Sequence, residues 1–87
     1  MRSIGDVNLL IRDERRRQDE KWGTSFEGRS DEKWLSILIE EIGEIAQALL
    51  KAEGDEHIEE EILQSASVLV SWLQFRTPRD QQANADN

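Results

Sequence analysis

The 87-residue chain has no cysteine, no tyrosine, one proline, one histidine and five glycines. Lack of cysteine excludes disulfide stapling and thiolate metal sites. The lone histidine, His57, has neither a cysteine nor a second histidine as partner and reads as a surface residue. A single proline, Pro78, and glycines that fall mostly between periodic segments leave long stretches free for helices, so the expected fold is all-α. No apolar run approaches the roughly 18 residues of a membrane span. The N-terminal stretch Met1-Arg2-Ser3-Ile4-Gly5-Asp6 has no apolar signal-peptide core, which makes the cytoplasm the expected compartment. Basic residues are also scarce. Eleven against nineteen acidic ones give a net charge of -8, which repels phosphate backbones and argues against nucleic acid as a partner.

What is present is helical periodicity. Val7, Leu10, Ile11 and Glu14 share one face of a first helix running from about Asp6 to Trp22, with Gly23 as its stop. The stripe fades after Ile11, so the polar half from Arg15 to Lys21 faces water or lines a polar site. Ser30 is a good N-cap for a second helix reaching about Lys51, with Asp31 and Glu32 in its first turn. Its apolar stripe of Trp34, Leu35, Leu38, Ile42, Ile45, Ala46 and Leu49 is wider than one neighbouring helix covers. After Gly54, Asp55 is placed to cap a third helix from about Glu56 to Phe75, striped by Ile58, Ile62, Ala66, Leu69 and Leu73. The expected organisation is one helical domain over 1–76 and a loose polar tail over 77–87. A chain this short buries only about 60–65% of its unfolded surface, so partner copies are expected to complete the bundle.

The unusual feature is the placement of carboxylates. Glu41 and Glu44 project from one side of helix two a turn apart, with Glu41 at the edge of the apolar stripe beside Trp34 and Ile45. On helix three Glu61 projects between Val68 and Trp72, inside the apolar face. A carboxylate there must be protonated, paired or metal-bound, because an unpaired buried charge costs several kcal/mol. Antiparallel packing of helices two and three brings Glu41, Glu44 and Glu61 together, and three hard oxygen ligands suit Mg²⁺ or Mn²⁺. Gln64, one turn on, offers a neutral carbonyl oxygen. Glu40, Glu59 and Glu60 read as solvated surface.

Two readings stand for the basic run Arg15-Arg16-Arg17: balance of the neighbouring carboxylates, or a grip on phosphates. Gln18, Lys21 and Trp22 share a face that can hydrogen-bond and stack on a base, and Trp22 serves equally as a core plug. Trp34 and Trp72 read as core or subunit interface.

The segments Arg15-Arg16-Arg17-Gln18-Asp19-Glu20-Lys21-Trp22-Gly23, Asp31-Glu32-Lys33-Trp34-Leu35, Glu40-Glu41-Ile42-Gly43-Glu44-Ile45-Ala46-Gln47-Ala48-Leu49-Leu50 and Glu60-Glu61-Ile62-Leu63-Gln64 together resemble the MazG-like branch of the all-α nucleoside triphosphate pyrophosphohydrolases. The resemblance spans roughly Arg12 to Trp72. It implies a helical bundle that assembles as a homodimer or homotetramer and, with Mg²⁺, cleaves a nucleoside triphosphate to a monophosphate and pyrophosphate. The family pattern is ExxE on one helix and ExxD on the next. Glu41 to Glu44 match the first; the second begins at Glu61 but has Gln64 where the family carries an acidic residue. The resemblance also implies phosphate contacts from Lys21 and Lys51 and nucleotide contacts from Gln18 and Trp22.

The expected function is therefore a Mg²⁺-dependent (or Mn²⁺-dependent) nucleoside triphosphate pyrophosphohydrolase that cleans the nucleotide pool, with Glu41, Glu44 and Glu61 as catalytic metal ligands and Gln64 completing the shell. The alternative is a catalytically weakened nucleotide-binding or protein-interaction module on the same scaffold, in which Gln64 marks the lost chemistry. A purely structural helical oligomer with acidic decoration is the third class.

Overall fold

The computed structural model describes residues 1–82, and among these all regular structure is helical. Helix α1 spans Ile4–Trp22, α2 Asp31–Leu50 and α3 Asp55–Phe75, with a single 3₁₀ turn at Gly23–Phe26 and another at Arg79–Gln81. The side chains at the helix starts explain the first two boundaries. Ser3 Oγ accepts from the Asp6 N–H at 3.1 Å, and Ser30 Oγ accepts from the Lys33 N–H at the same distance. Each satisfies a donor that the first helical turn leaves unpaired. The α3 start differs from expectation: Asp55 is the first helical residue, and Gly54 at φ 97° precedes it with no side-chain cap. The chain reverses direction within a few residues there, and only glycine adopts that φ without strain.

Helices α2 and α3 pack antiparallel, as contacts from Asp31 at the start of α2 to Trp72 and Arg76 near the end of α3 require. The core is small and aromatic. Phe26, Trp34 and Val68 form its centre, and Ile37, Leu38, Trp72 and Phe75 pack against it. The Phe26 ring lies 5.8 Å from Trp34 and 5.6 Å from Phe75, centroid to centroid. Arg15 closes this core. It is buried, with its guanidinium 5.4 Å from the Phe26 ring centroid and hydrogen bonds to Gln74, Gln18 and Asp19. The charge-balance reading of the basic run covers Arg17, paired with Glu14, and in part Arg15, paired with Asp19; what it does not cover is that Arg15 is packed into the core.

Only part of the α2 stripe is covered within the chain. Trp34 and Ala48 are buried and Ile37, Leu38, Glu41 and Ile45 half-buried, whereas Leu35, Ile39, Ile42 and Leu49 are exposed. Past α3 the chain turns back instead of fraying at Thr77. Gln82 is buried, accepts from the Asp31 N–H at 2.8 Å and donates to the Thr77 carbonyl. Polar pairing, not apolar burial, holds this turn. Positions 83–87 of the expected tail lie outside the described residues. Among the described residues no helix is long and apolar enough to cross a membrane.

Candidate metal centre

The antiparallel α2/α3 pair brings Glu41, Glu44 and Glu61 together, with one carboxylate oxygen of each within 4.8 Å of the others. Their environments differ. Glu61 is buried, Glu41 half-buried and Glu44 exposed, so the cluster opens to solvent on the Glu44 side. Glu41 Oε2 and Glu61 Oε2 are inaccessible to water and have no hydrogen-bond partner. Two such oxygens are costly unless protonated or bound to a cation.

Electrostatics agree with the geometry. Burial, then the adjacent Glu44 carboxyl, then Glu41, push Glu61 up from 4.5 to about 7. Glu41 is raised by burial first and then by Glu44, Glu40 and Glu14. Carboxylates crowded in a partly dry site hold protons when no cation is bound and release them to bind one. A donor set of oxygens alone, with no sulfur or imidazole among the three, fits a hard divalent ion such as Mg²⁺ or Mn²⁺.

Beside the cluster lies a cavity of about 310 Å³ that shares Glu41 with it. Gln18 and Trp22 of α1 line one side, Phe26 and Arg29 of the connection another, and Trp34 and Glu40 of α2 a third. Trp22 is half exposed, with the Lys21 ammonium 5.0 Å from its ring, so it is no core plug. Lys51 sits at the C-terminal end of α2, about 15 Å along the helix from Glu41, and joins neither the cluster nor this cavity lining. Gln64 is half-buried one turn beyond Glu61.

Three features escaped the sequence reading. His57 borders the cluster, with Nε2 3.6 Å from Glu61 and 3.1 Å from Glu53. Its place one turn before Glu61 was the available signal. Trp34 Nε1 and Ser67 Oγ are buried without hydrogen-bond partners. Nothing in a one-dimensional pattern reports an unmet donor. Asp31 accepts from Trp72 Nε1 at 2.8 Å and from Arg76 Nε and Nη2, each at 3.0 Å, which makes it a clamp as well as a first-turn acid.

Comparison with protein-family models, curated proteins and solved structures found no match to this chain.

Proposed function

We propose that this chain is a Mg²⁺- or Mn²⁺-dependent nucleoside triphosphate pyrophosphohydrolase of the MazG-like kind, releasing a nucleoside monophosphate and pyrophosphate. The observation that carries the proposal is the convergence of Glu41, Glu44 and Glu61, two of them with buried, unpartnered oxygens, at the edge of a cavity large enough for part of a nucleotide.

In this reading Glu41, Glu44 and Glu61 hold the metal, which when bound neutralises phosphate charge and polarises an attacking water. The chain's own groups do the rest. Glu44, the exposed member, faces solvent where a polyphosphate enters. Gln64 orients a water or adds a neutral oxygen to the shell. Gln18 and Trp22 take the nucleoside part and Lys21 meets the phosphates, since all three are close in sequence and the first two line the cavity. Without the metal, a chain of net charge -8 repels a triphosphate from this rim.

A second reading follows from Gln64, which lacks the charge and the basicity of the carboxylate that the family pattern carries there. On it the chain is a nucleotide-binding or protein-interaction module that binds without turnover. Titration calorimetry with nucleoside triphosphates, with and without Mg²⁺, followed by chromatography of the mixture, separates the two. Mg²⁺-dependent binding accompanied by monophosphate supports the enzyme. Binding with intact triphosphate after long incubation supports the module. No binding under either condition contradicts both.

A further inference from the structure

A second cavity, of about 480 Å³, shares no residue with the carboxylate cluster or with the cavity beside it. It lies between α1 and α3, and the way α1 is held explains why it is there. Arg15 ties the C-terminal half of α1 to the end of α3, donating to Gln74 at 2.9 Å and packing on the Phe75 ring. Arg2, just ahead of α1, pairs with Glu59 near the start of α3. The two helices therefore run parallel and are anchored at both ends. Between the anchors Val7, Leu10 and Ile11 line the cavity from α1, and Ile62, Leu63 and Ala66 line it from α3. The short side chains of Val7 and Ala66 leave the gap unfilled, and none of the six is fully buried.

The rim is charged where the walls are not. Glu56, Glu59 and Glu60 stand there with Arg2 as the one cation. Arg2 is taken up by Glu59, and Glu60 faces His57 Nδ1 at 3.6 Å, while Glu56 has no ion-pair partner among the described residues. The rim thus carries an excess of negative charge above an apolar floor.

From this we infer that the cavity between α1 and α3 is a binding site for a small organic cation, whose apolar body fills the space over Leu10, Leu63 and Ala66 and whose protonated amine is held at the rim by Glu56 and Glu60. Three observations select that class. The volume falls in the range of roughly 300–1,000 Å³ typical of small-molecule sites, and apolar walls with a few polar groups at one edge bind a body and fix its orientation. The Arg2–Glu59 pair joins the two helices at one end of a groove about 15 Å long from Glu56 to Ala66. A further helix, about 10 Å across, lies down in that groove only by breaking the pair, whereas a small molecule does not disturb it. Finally, surplus carboxylates at the rim of a chain of net charge -8 attract an amine and repel a carboxylate or phosphate of the same size.

Calorimetry of the full chain with octylammonium, octanol and octanoate, at pH 7 and low salt, tests this without reference to any activity. The three probes share the apolar body and differ only in the group that meets the rim. Octylammonium is expected to bind about tenfold more tightly than octanoate, with octanol between them, and to lose that advantage as salt is raised. Glu56→Gln, a change at the exposed rim, is expected to weaken octylammonium about threefold and to leave octanol unchanged. Ala66→Phe, which fills the space, is expected to weaken all three probes by about tenfold or more; should that variant fail to fold, the Glu56→Gln comparison decides. Glu44→Gln, in the carboxylate cluster, is expected to leave every affinity unchanged, which separates binding at this rim from binding of the ammonium at the cluster. The inference is overturned if octylammonium does not bind, if octanoate binds as tightly, or if binding is lost in Glu44→Gln and kept in Glu56→Gln.

Discussion

Glu61 sits where a carboxylate is costly, and its titration makes that cost measurable. In the unfolded chain it ionises near 4.5, whereas in the folded, metal-free chain burial and its neighbours hold the proton to about 7. Between those values the folded state binds more protons than the unfolded one, so stability falls as pH rises through the window and levels off above it. Glu41 is shifted in the same direction and adds to the slope. Urea unfolding of chelator-treated protein from pH 4.5 to 8 is expected to show a decline on the order of a few kcal/mol. The slope should flatten in Glu61→Gln. Stability that rises over this range would contradict the burial account. Gln64 belongs to the same scale: Gln64→Asp restores a fourth acidic oxygen and is expected to tighten Mg²⁺ binding by about tenfold, read by calorimetry. Unchanged or weaker affinity would place Gln64 outside the metal shell.

The burial of Glu61 was legible because a helical wheel places it between Val68 and Trp72, and both the expectation and the structure put it inside. Arg15 was not legible. In sequence it is the first of three arginines beside carboxylates, and only the packing of Phe26 and Phe75 against α1 makes it a buried cation.

At the scale of elements, the start of α2 is tied to the end of α3 by Asp31. The Arg76 and then the Trp72 hydrogen bonds hold its carboxyl well below the usual carboxylate range. A depressed folded value contributes stability that is present above the unfolded value of 3.8 and lost as pH falls below it. Asp31→Asn is therefore expected to lower the thermal midpoint at pH 7 and to narrow the gap to wild type below pH 3. A constant gap across that range would mean that the side chain's shape, not its charge, makes the clamp. The three helices were legible to within about two residues because serine caps and glycine stops are local chemistry. The turn after α3 was not, because its composition is that of a loose tail. It is held by Gln82, Arg79 and Arg76 reaching back some 50 residues to Asp31, a long-range pairing with no local trace.

At the scale of the molecule, α1 packs along the helical hairpin and borders two kinds of surface. Gln18 and Trp22 of its C-terminal half share a cavity with Glu41, whereas Val7, Leu10 and Ile11 of its N-terminal half share a second cavity with Ile62 and Ala66 of α3. The width of the α2 stripe was legible as more than one neighbouring helix covers, but which part of it stays uncovered depended on where α3 and the Phe26 turn settle. The all-α architecture and the meeting of Glu41, Glu44 and Glu61 were legible together, since antiparallel packing of two striped helices dictates both. The cavity beside the cluster was only half legible. Gln18 and Trp22 were singled out, while Phe26 and Arg29 enter it through the irregular connection that no periodicity describes.

The account turns on whether the three-glutamate cluster supports hydrolysis. The most direct measurement is release of inorganic pyrophosphate from a panel of ribo- and deoxyribonucleoside triphosphates, with Mg²⁺, with Mn²⁺ and with chelator, for wild type and Glu61→Gln. The account predicts metal-dependent release by wild type from at least one triphosphate, none with chelator, and loss of at least about 100-fold in Glu61→Gln while helicity is retained. No release from any triphosphate by the folded wild type, or equal release by Glu61→Gln, would contradict it.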